Sequence, residues 1–339
     1  MKIAIDAMGG DFGPVVTIAG LARSLKMHND LEAQIYGVEE LTLPQLRDSG
    51  LIKSSRIDFF HSSETIAMDD KPAMALRSKK DSSMRRAVDS VKMETTDACV
   101  SAGNTGALMG IARFVLKTLP GISKPAICGT MPGVNATSKL LDLGANVDCS
   151  SEDLLGFAIM GSVLTQFTSG VNKPTVALLN IGQEEIKGNE QIKRTAEILD
   201  RSNINYVGFV EGNDIYNGVV DVIVCDGFIG NVALKASEGA AKLLTEVARD
   251  EYRRNVVTKL IGALSLPVLK RLKQRVDPRR HNGASLLGLR GTVVKSHGSA
   301  DELSFSNAIE VAFSETEQKI PKKIGSMLEE NEAISLGGS

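Results

Sequence analysis

Short apolar runs that each end in a glycine-rich polar turn, followed by an amphipathic stretch, recur along this 339-residue chain. KIAID runs into AMGGD, DACVS into AGNTG, KLLDL into GAN, VALLN into IGQEEIKGN and VIVCD into GFIGN. Runs this short read as buried strands, and apolar residues at helical spacing read as helices. Strands that alternate with helices give a mainly parallel sheet with helices on both faces. Ligands in such folds bind beyond the carboxyl ends of the strands. Glycine belongs there, because a turn without Cβ lets backbone approach a ligand closely.

The pattern predicts strands at Lys2–Asp6, Ala33–Gly37, Ile57–Phe60, Asp97–Ser101, Ala126–Met131, Ser138–Leu143, Pro174–Asn180, Tyr206–Val210 and Asp221–Cys225. It predicts helices at Pro14–Met27, Thr105–Leu116, Glu152–Phe167, Glu190–Leu199 and Val232–Arg249, with another helical stretch ending near Leu46. No linker or internal repeat divides the chain, so residues 1–330 read as one large α/β catalytic domain and 331–339 as a flexible tail. A net charge of −2 and 4% aromatic residues without tryptophan argue against a nucleic-acid partner. No uncharged apolar stretch is long enough to span a bilayer, and MKIAIDAMGGD reads as a strand meeting a glycine pair rather than a secretory leader. Cys99, Cys128, Cys149 and Cys225 form no CxxC pair and read as reduced core thiols of a cytoplasmic protein. With only four histidines, no metal site is expected.

The chemistry-bearing residues sit where strands end. Ser101-Ala102-Gly103-Asn104-Thr105-Gly106 precedes a helix, where backbone N–H groups would cradle an anion; the same residues would equally make an ordinary helix cap. Asp6, Gly9 and Gly10 follow the first strand, and Asp142 and Asn146 lie in the LDLGAN turn. Asn180 and Lys187 lie in a glycine-rich loop, where the lysine is either a phosphate partner or a solvated cation. Asp226 and Asn231 follow the VIVC strand, with Lys235 one turn into the next helix. Lys295-Ser296-His297-Gly298-Ser299 contains a loop histidine that would act as an acid or base near neutral pH or serve structurally. GxxxxGK[ST], GxGxxG and GxSxG are all missing, which leaves an anion-binding α/β protein without a recognisable covalent nucleophile.

DAMGGDFGP, SAGNTGA, LDLGAN, LLNIGQEEIKGN, VCDGFIGNVALK, GASLLGLRG and KSHGS follow one another from Asp6 to Ser299. This series resembles the bacterial acyl-carrier-protein:phosphate acyltransferases of phospholipid synthesis, the PlsX family. The resemblance implies reversible transfer of a long-chain acyl group from acyl carrier protein to inorganic phosphate, with no cofactor. It implies a three-layer αβα Rossmann-like sandwich like that of isocitrate and isopropylmalate dehydrogenases and phosphotransacetylases, assembled as a homodimer. Acyl phosphate would then feed a membrane glycerol-3-phosphate acyltransferase. For that reaction Ser101, Gly103, Asn104, Thr105 and Gly106 are expected to bind phosphate, and Lys187, Asn180, Asn231 and His297 to be catalytic. Asp6, Gly9, Gly10, Asp142, Asn146 and Asp226 are expected to support them. A short-chain phosphotransacetylase, an isopropylmalate-type dehydrogenase and a non-catalytic acyl carrier are the alternatives.

Residues 251–280 stand apart. Nine basic residues against two acidic ones give this segment +7, so the rest of the chain carries −9. Val257, Leu260, Ile261 and Leu264 recur at helical spacing beside Arg253, Arg254, Lys259, Lys270 and Arg271. The pattern suits an interfacial helix on the inner face of the cell membrane, or a dock for an acidic carrier protein. A dimer or core helix with solvated cations is the bland reading. Pro267 is expected to kink the helix or to form the tip of a hairpin.

Overall fold

The computed structural model describes residues 1–275 and 277–337. In chain order the elements are β1 (Lys2–Asp6), α1 (Pro14–Met27), β2 (Glu32–Gly37), α2 (Glu39–Asp48), β3 (Ile57–His61), α3 (Pro72–Ser78), α4 (Ser83–Lys92), β4 (Ala98–Ser101), α5 (Thr105–Leu116), β5 (Ala126–Met131) and β6 (Ser138–Leu141). They continue with α6 (Ser151–Ser169), β7 (Val176–Leu179), α7 (Glu190–Asp200), β8 (Tyr206–Val210), β9 (Val222–Val224), α8 (Gly227–Arg253), α9 (Val256–Arg275), β10 (Ala284–Leu287), β11 (Thr292–Lys295), α10 (Glu302–Glu317) and α11 (Ile320–Gly337). Residues 338–339, the end of the expected tail, lie outside the described residues, as do the side chains of 331–337.

All the strands join one sheet in the order β3-β2-β1-β4-β11-β10-β5-β6-β9-β7-β8. β3, β2, β1, β4 and β11 run parallel to one another, and so do β6, β9, β7 and β8. Antiparallel pairings of β10 with β11 and β5, and of β5 with β6, set the two blocks in opposite directions. The expected parallel α/β sheet is therefore present, with a reversal at its centre.

Alternation along the strands sends side chains to opposite faces. Ile3, Ile5, Val100 and Val294 pack against Ile18 and Leu21 of α1 and Phe305 of α10. Ala4, Cys99 and Val293 face Met84 of α4 and Leu108 of α5 on the other side. In the second block Leu141, Leu178 and Val224 pack against Phe157 of α6. Asp6, Ser101 and Lys295 follow the α4/α5 face by the same alternation, and register places them side by side on β1, β4 and β11.

Local chemistry sets the helix starts. Asn104 caps α5, Asp226 caps α8, and Ser150 with Asp153 forms a reciprocal capping box on α6. Two expectations are corrected. Asp226 starts α8 at Gly227, so Gly227–Asn231 belong to a helix rather than to a loop. Of the two readings of Pro267, a kink or a hairpin tip, the tip falls, since Pro267 lies inside α9. The turn falls at Arg254 and Asn255 because Asn255 and Thr258 cap each other: Thr258 N–H donates to Asn255 Oδ1 at 2.9 Å, and Asn255 N–H to Thr258 Oγ1 at 3.0 Å. The hydrogen bond that Pro267 forfeits is lost on an exposed arm, where the freed carbonyl is not buried away from solvent.

Candidate active site

Three strand ends meet at Asp6, which is buried. Ser101 Oγ donates to Asp6 Oδ2 at 2.6 Å, and Ser83 Oγ donates to Asp6 Oδ1 at 2.6 Å. Burial pushes the Asp6 carboxyl up, while these hydroxyls, the Met8 N–H and the charge of Lys295 draw it down. Ser101 is thus committed inward, and its Oγ also accepts the Gly103 N–H at 3.1 Å. Through these two bonds Ser101 ties the turn after β4 to Asp6. Gly9 packs directly beneath: a Cβ there would lie 2.6 Å from Gly103 N and 2.8 Å from Asp6 Oδ2. Gly10 has φ +86, and a Cβ on it would lie 2.8 Å from Gly298 O.

Asn104 is also fully engaged. Its Oδ1 accepts the Ala107 N–H at 3.0 Å, and its Nδ2 donates to Met68 O at 2.9 Å and Asp70 O at 3.0 Å. The helix-cap reading of SAGNTG is present at Asn104, and the exposed Thr105 and Gly106 leave first-turn N–H groups with no acceptor among the described residues. Such N–H groups at the positive end of a helix dipole suit a bound anion.

Lys295 was not singled out from the sequence, and it is the cation of this site. It is only 8% exposed. Its Nζ donates to Ala102 O at 3.1 Å and also to Ser296 O, tying the turn after β4 to the turn after β11. Burial lowers its pKa to about 8; Asp6 and Asp11 oppose that fall, and Lys235 adds to it. The clue was available in the sequence only as a lysine ending an apolar run.

His297 follows. Its Nδ1 accepts the Ser299 N–H at 3.1 Å, so a neutral ring carries its proton on Nε2. Nε2 lies 4.0 Å from Glu238 Oε1, about three turns into α8. α8 therefore connects this edge of the sheet to the other polar edge, where it starts.

That second edge centres on Asp142, which is fully buried. Asp142 ended the predicted strand early because its carboxylate turns in to accept four N–H groups. These come from Ile127 (2.9 Å), Ala145 (3.1 Å), and the Asn146 backbone (2.8 Å) and side chain (2.9 Å). Asn146 Nδ2 also donates to Pro125 O at 2.8 Å, and Gly227 N–H donates to Asn146 O at 2.8 Å. Asp226 Oδ1 accepts the Ile229 N–H at 2.8 Å. Asn231, exposed in the first turns of α8, faces Gly144, where a Cβ would come within 3.2 Å of Asn231 Cβ.

Asn180 and Lys187 lie together in a third place. Asn180 Nδ2 donates to Gly182 O at 3.0 Å and Lys187 O at 3.3 Å, and Lys187 Nζ pairs with Glu184 at 2.9 Å. Among the described residues, no hydrogen bond or ion pair joins this loop to the Asn104 or His297 turns. The cysteines lie apart from nucleophilic chemistry: burial raises Cys128 to about 12 and Cys149 to about 11, and pushes Cys99 and Cys225 well up.

Residues 1–323 match the family described as "Fatty acid synthesis protein". The chain is 53% identical over 323 residues to the phosphate acyltransferase of Methylococcus capsulatus, covering 95% of each chain. It is 53% identical over 321 residues to that of Legionella pneumophila strain Paris, covering 94% of each. The chain belongs to the phosphate acyltransferase family. Membership makes it an acyltransferase of fatty acid and phospholipid synthesis, and the dehydrogenase and non-catalytic alternatives fall. Among solved structures it resembles a phosphotransacetylase from Streptococcus pyogenes, with TM-score 0.61 and 17% identity over 93% of this chain and 94% of that one. The EutD phosphotransacetylase of Staphylococcus aureus gives TM-score 0.58 and 14% identity over the same shares. At such identities the likeness is one of fold, and it agrees with the Rossmann-like sandwich.

Proposed function

We propose that the chain transfers a long-chain fatty acyl group from acyl carrier protein to inorganic phosphate, reversibly, giving acyl phosphate for phospholipid synthesis. The observation that carries this reading is the unfilled first turn of α5, held from behind by Asp6 and Lys295 and flanked by His297. Phosphate lies against the N–H groups of Thr105 and Gly106, and its oxygen attacks the thioester carbonyl. The C–O bond forms, the C–S bond breaks, and the sulfur leaves as thiolate, which His297 Nε2–H protonates. A thiol of ordinary pKa near ~8.5 needs only modest help to leave. Positioning and aimed donors are the main demands of such a reaction, and no covalent enzyme intermediate is required. Asn180 and Lys187 supply a second polar loop to the acyl phosphate, with Asn231 orienting the carbonyl. Asp142, Asn146 and Asp226 hold that side in shape.

The exposed apolar residues Val257, Leu260, Ile261 and Leu264 on the arm, set among Arg253, Arg254, Lys259, Lys270 and Arg271, support a second part of the reading. Among the described residues no helix is long and apolar enough to cross a membrane. The enzyme works in the cytoplasm as a homodimer, and the arm seats it on the inner face of the membrane beside a glycerol-3-phosphate acyltransferase. Replacing Leu260 and Leu264 by Glu abolishes flotation with anionic vesicles on this reading; unchanged flotation refutes it.

The deciding experiment is phosphate-dependent release of thiol from palmitoyl-acyl carrier protein, with the acyl phosphate trapped by hydroxylamine. Release that requires both phosphate and the carrier supports the reading. Preference for short acyl-CoA esters would instead make the enzyme a phosphotransacetylase.

A further inference from the structure

Segment 68–80 lies across the candidate site and is fastened to both of its turns. Asn104 Nδ2 holds the carbonyls of Met68 and Asp70. Gly106 abuts Pro72, where an added Cβ would lie 2.7 Å from Pro72 Cγ; one on Gly298 would lie 2.8 Å from Met68 Cε. Lys79 closes the segment on itself through Asp70 and the Thr65 carbonyl. What remains faces outward. Lys71, Arg77 and Lys80 are exposed and have no carboxylate partner among the described residues. Met68 is 44% exposed and Met74 is 59% exposed. Met74 and Arg77, three residues apart, share one side of α3, and Lys71 stands at its N-cap. Residues 71–80 contain four basic side chains and no acidic one.

Resting on the donor assignment above, we propose that segment 68–80 is the docking face for the protein that delivers the acyl thioester, and that it receives an acidic, apolar-studded helix of that partner. Unpaired cations around exposed methionines form such a face, because rim charges steer and orient an oppositely charged partner while adaptable thioethers fill the contact. Position favours this surface over the basic arm. The segment touches both turns of the site, whereas α8 passes His297 at Glu238 and runs about 20 Å further before it reaches Arg253. A carrier seated at the arm tip would meet the chain that far along α8 from its approach to His297.

The test compares two charge-reversed enzymes with wild type: Lys71→Glu/Arg77→Glu/Lys80→Glu on the segment, and Lys259→Glu/Lys270→Glu/Arg271→Glu on the arm. Each is assayed with palmitoyl-acyl carrier protein at several salt concentrations, together with the KM for phosphate and the melting temperature. The segment variant is expected to raise the carrier KM about tenfold or more and to flatten its salt dependence. Phosphate KM and melting temperature stay at wild-type values. An unchanged carrier KM in the segment variant overturns the proposal, as does a rise seen only in the arm variant. A parallel rise in phosphate KM also overturns it, since that marks damage to the site rather than loss of a dock. A wild-type enzyme inert toward the carrier thioester but active on palmitoyl-CoA overturns the donor assignment itself, and the docking face with it.

Discussion

Asp6 and Asp142 occupy matching places, each buried just where a strand of a parallel block ends, yet they are satisfied by different partners. Asp142 accepts four N–H groups from residues of β5 and its own turn. Asp6 accepts two hydroxyls from α4 and β4, and faces a buried lysine from β11. Fixed amide dipoles make Asp142 a staple that defines one shape. Hydroxyls and an ammonium make Asp6 part of a network that joins three distant segments and ends at the turn before α5. A buried carboxylate at a strand end is thus a structural device or a functional one according to what neutralises it.

The comparison breaks first at Asp142. Asp142→Ala leaves four N–H groups without their acceptor, and a loss of at least about 3 kcal/mol in urea unfolding is expected. Lys295→Met should cost far less stability, because the methionine fills the same volume and sheds a cation that burial disfavours. Its turnover with phosphate should nevertheless fall about a hundredfold, the scale of losing one aimed donor in an active site. If both variants lose stability alike while the folded Lys295→Met enzyme keeps normal turnover, the distinction between the two aspartates fails.

A third buried carboxyl calibrates both. Glu315 on α10 accepts a hydrogen bond from Ser285 and feels the charge of Lys139, yet burial raises it to about 7. Between the ordinary glutamate value of 4.5 and about 7, the folded protein holds a proton that the unfolded chain has released. Stability from this group therefore falls as pH rises through that window. Glu315→Gln should remove this slope, gaining up to about 3 kcal/mol at pH 8 and little at pH 4. Thermal melts at the two pH values check it.

The smallest stability effect is expected at Lys187. Its pairing with Glu184 is exposed, so Lys187→Ala should change stability by less than about 0.5 kcal/mol. Turnover should still collapse if the loop reaches the acyl phosphate. Normal turnover would remove Lys187 from the site and leave the chemistry to the Asp6 edge.

Much of this was legible in the sequence because it is local. α1, α5, β5 and β8 begin and end at the predicted residues, since Pro14, Asn104 and the apolar runs carry their own signals. β10 and β11, inside GASLLGLRGTVVK, follow each other with no helix between them and so lack the strand–helix alternation that marks β4, β7 and β9. The residue types of the site were legible, but not their orientation. Ser101 turns to an aspartate 95 positions away, and Asn104 to carbonyls more than thirty positions back. Lys295 stayed hidden because its burial depends on β11 lying beside β4, a pairing across most of the chain.

That strand order also governs how the protein is made. Synthesis proceeds from the N-terminus, and domains begin to fold in that order. β10 and β11 are the last strands translated, yet β11 completes the first block and β10 joins it to β5 and so to the second. Until they emerge, β4 and β5 are open edges able to pair with other chains, and the Asp6 network lacks its lysine. An incomplete chain is thus adhesive, and the residues that close its sheet are the same ones that bring a cation to Asp6.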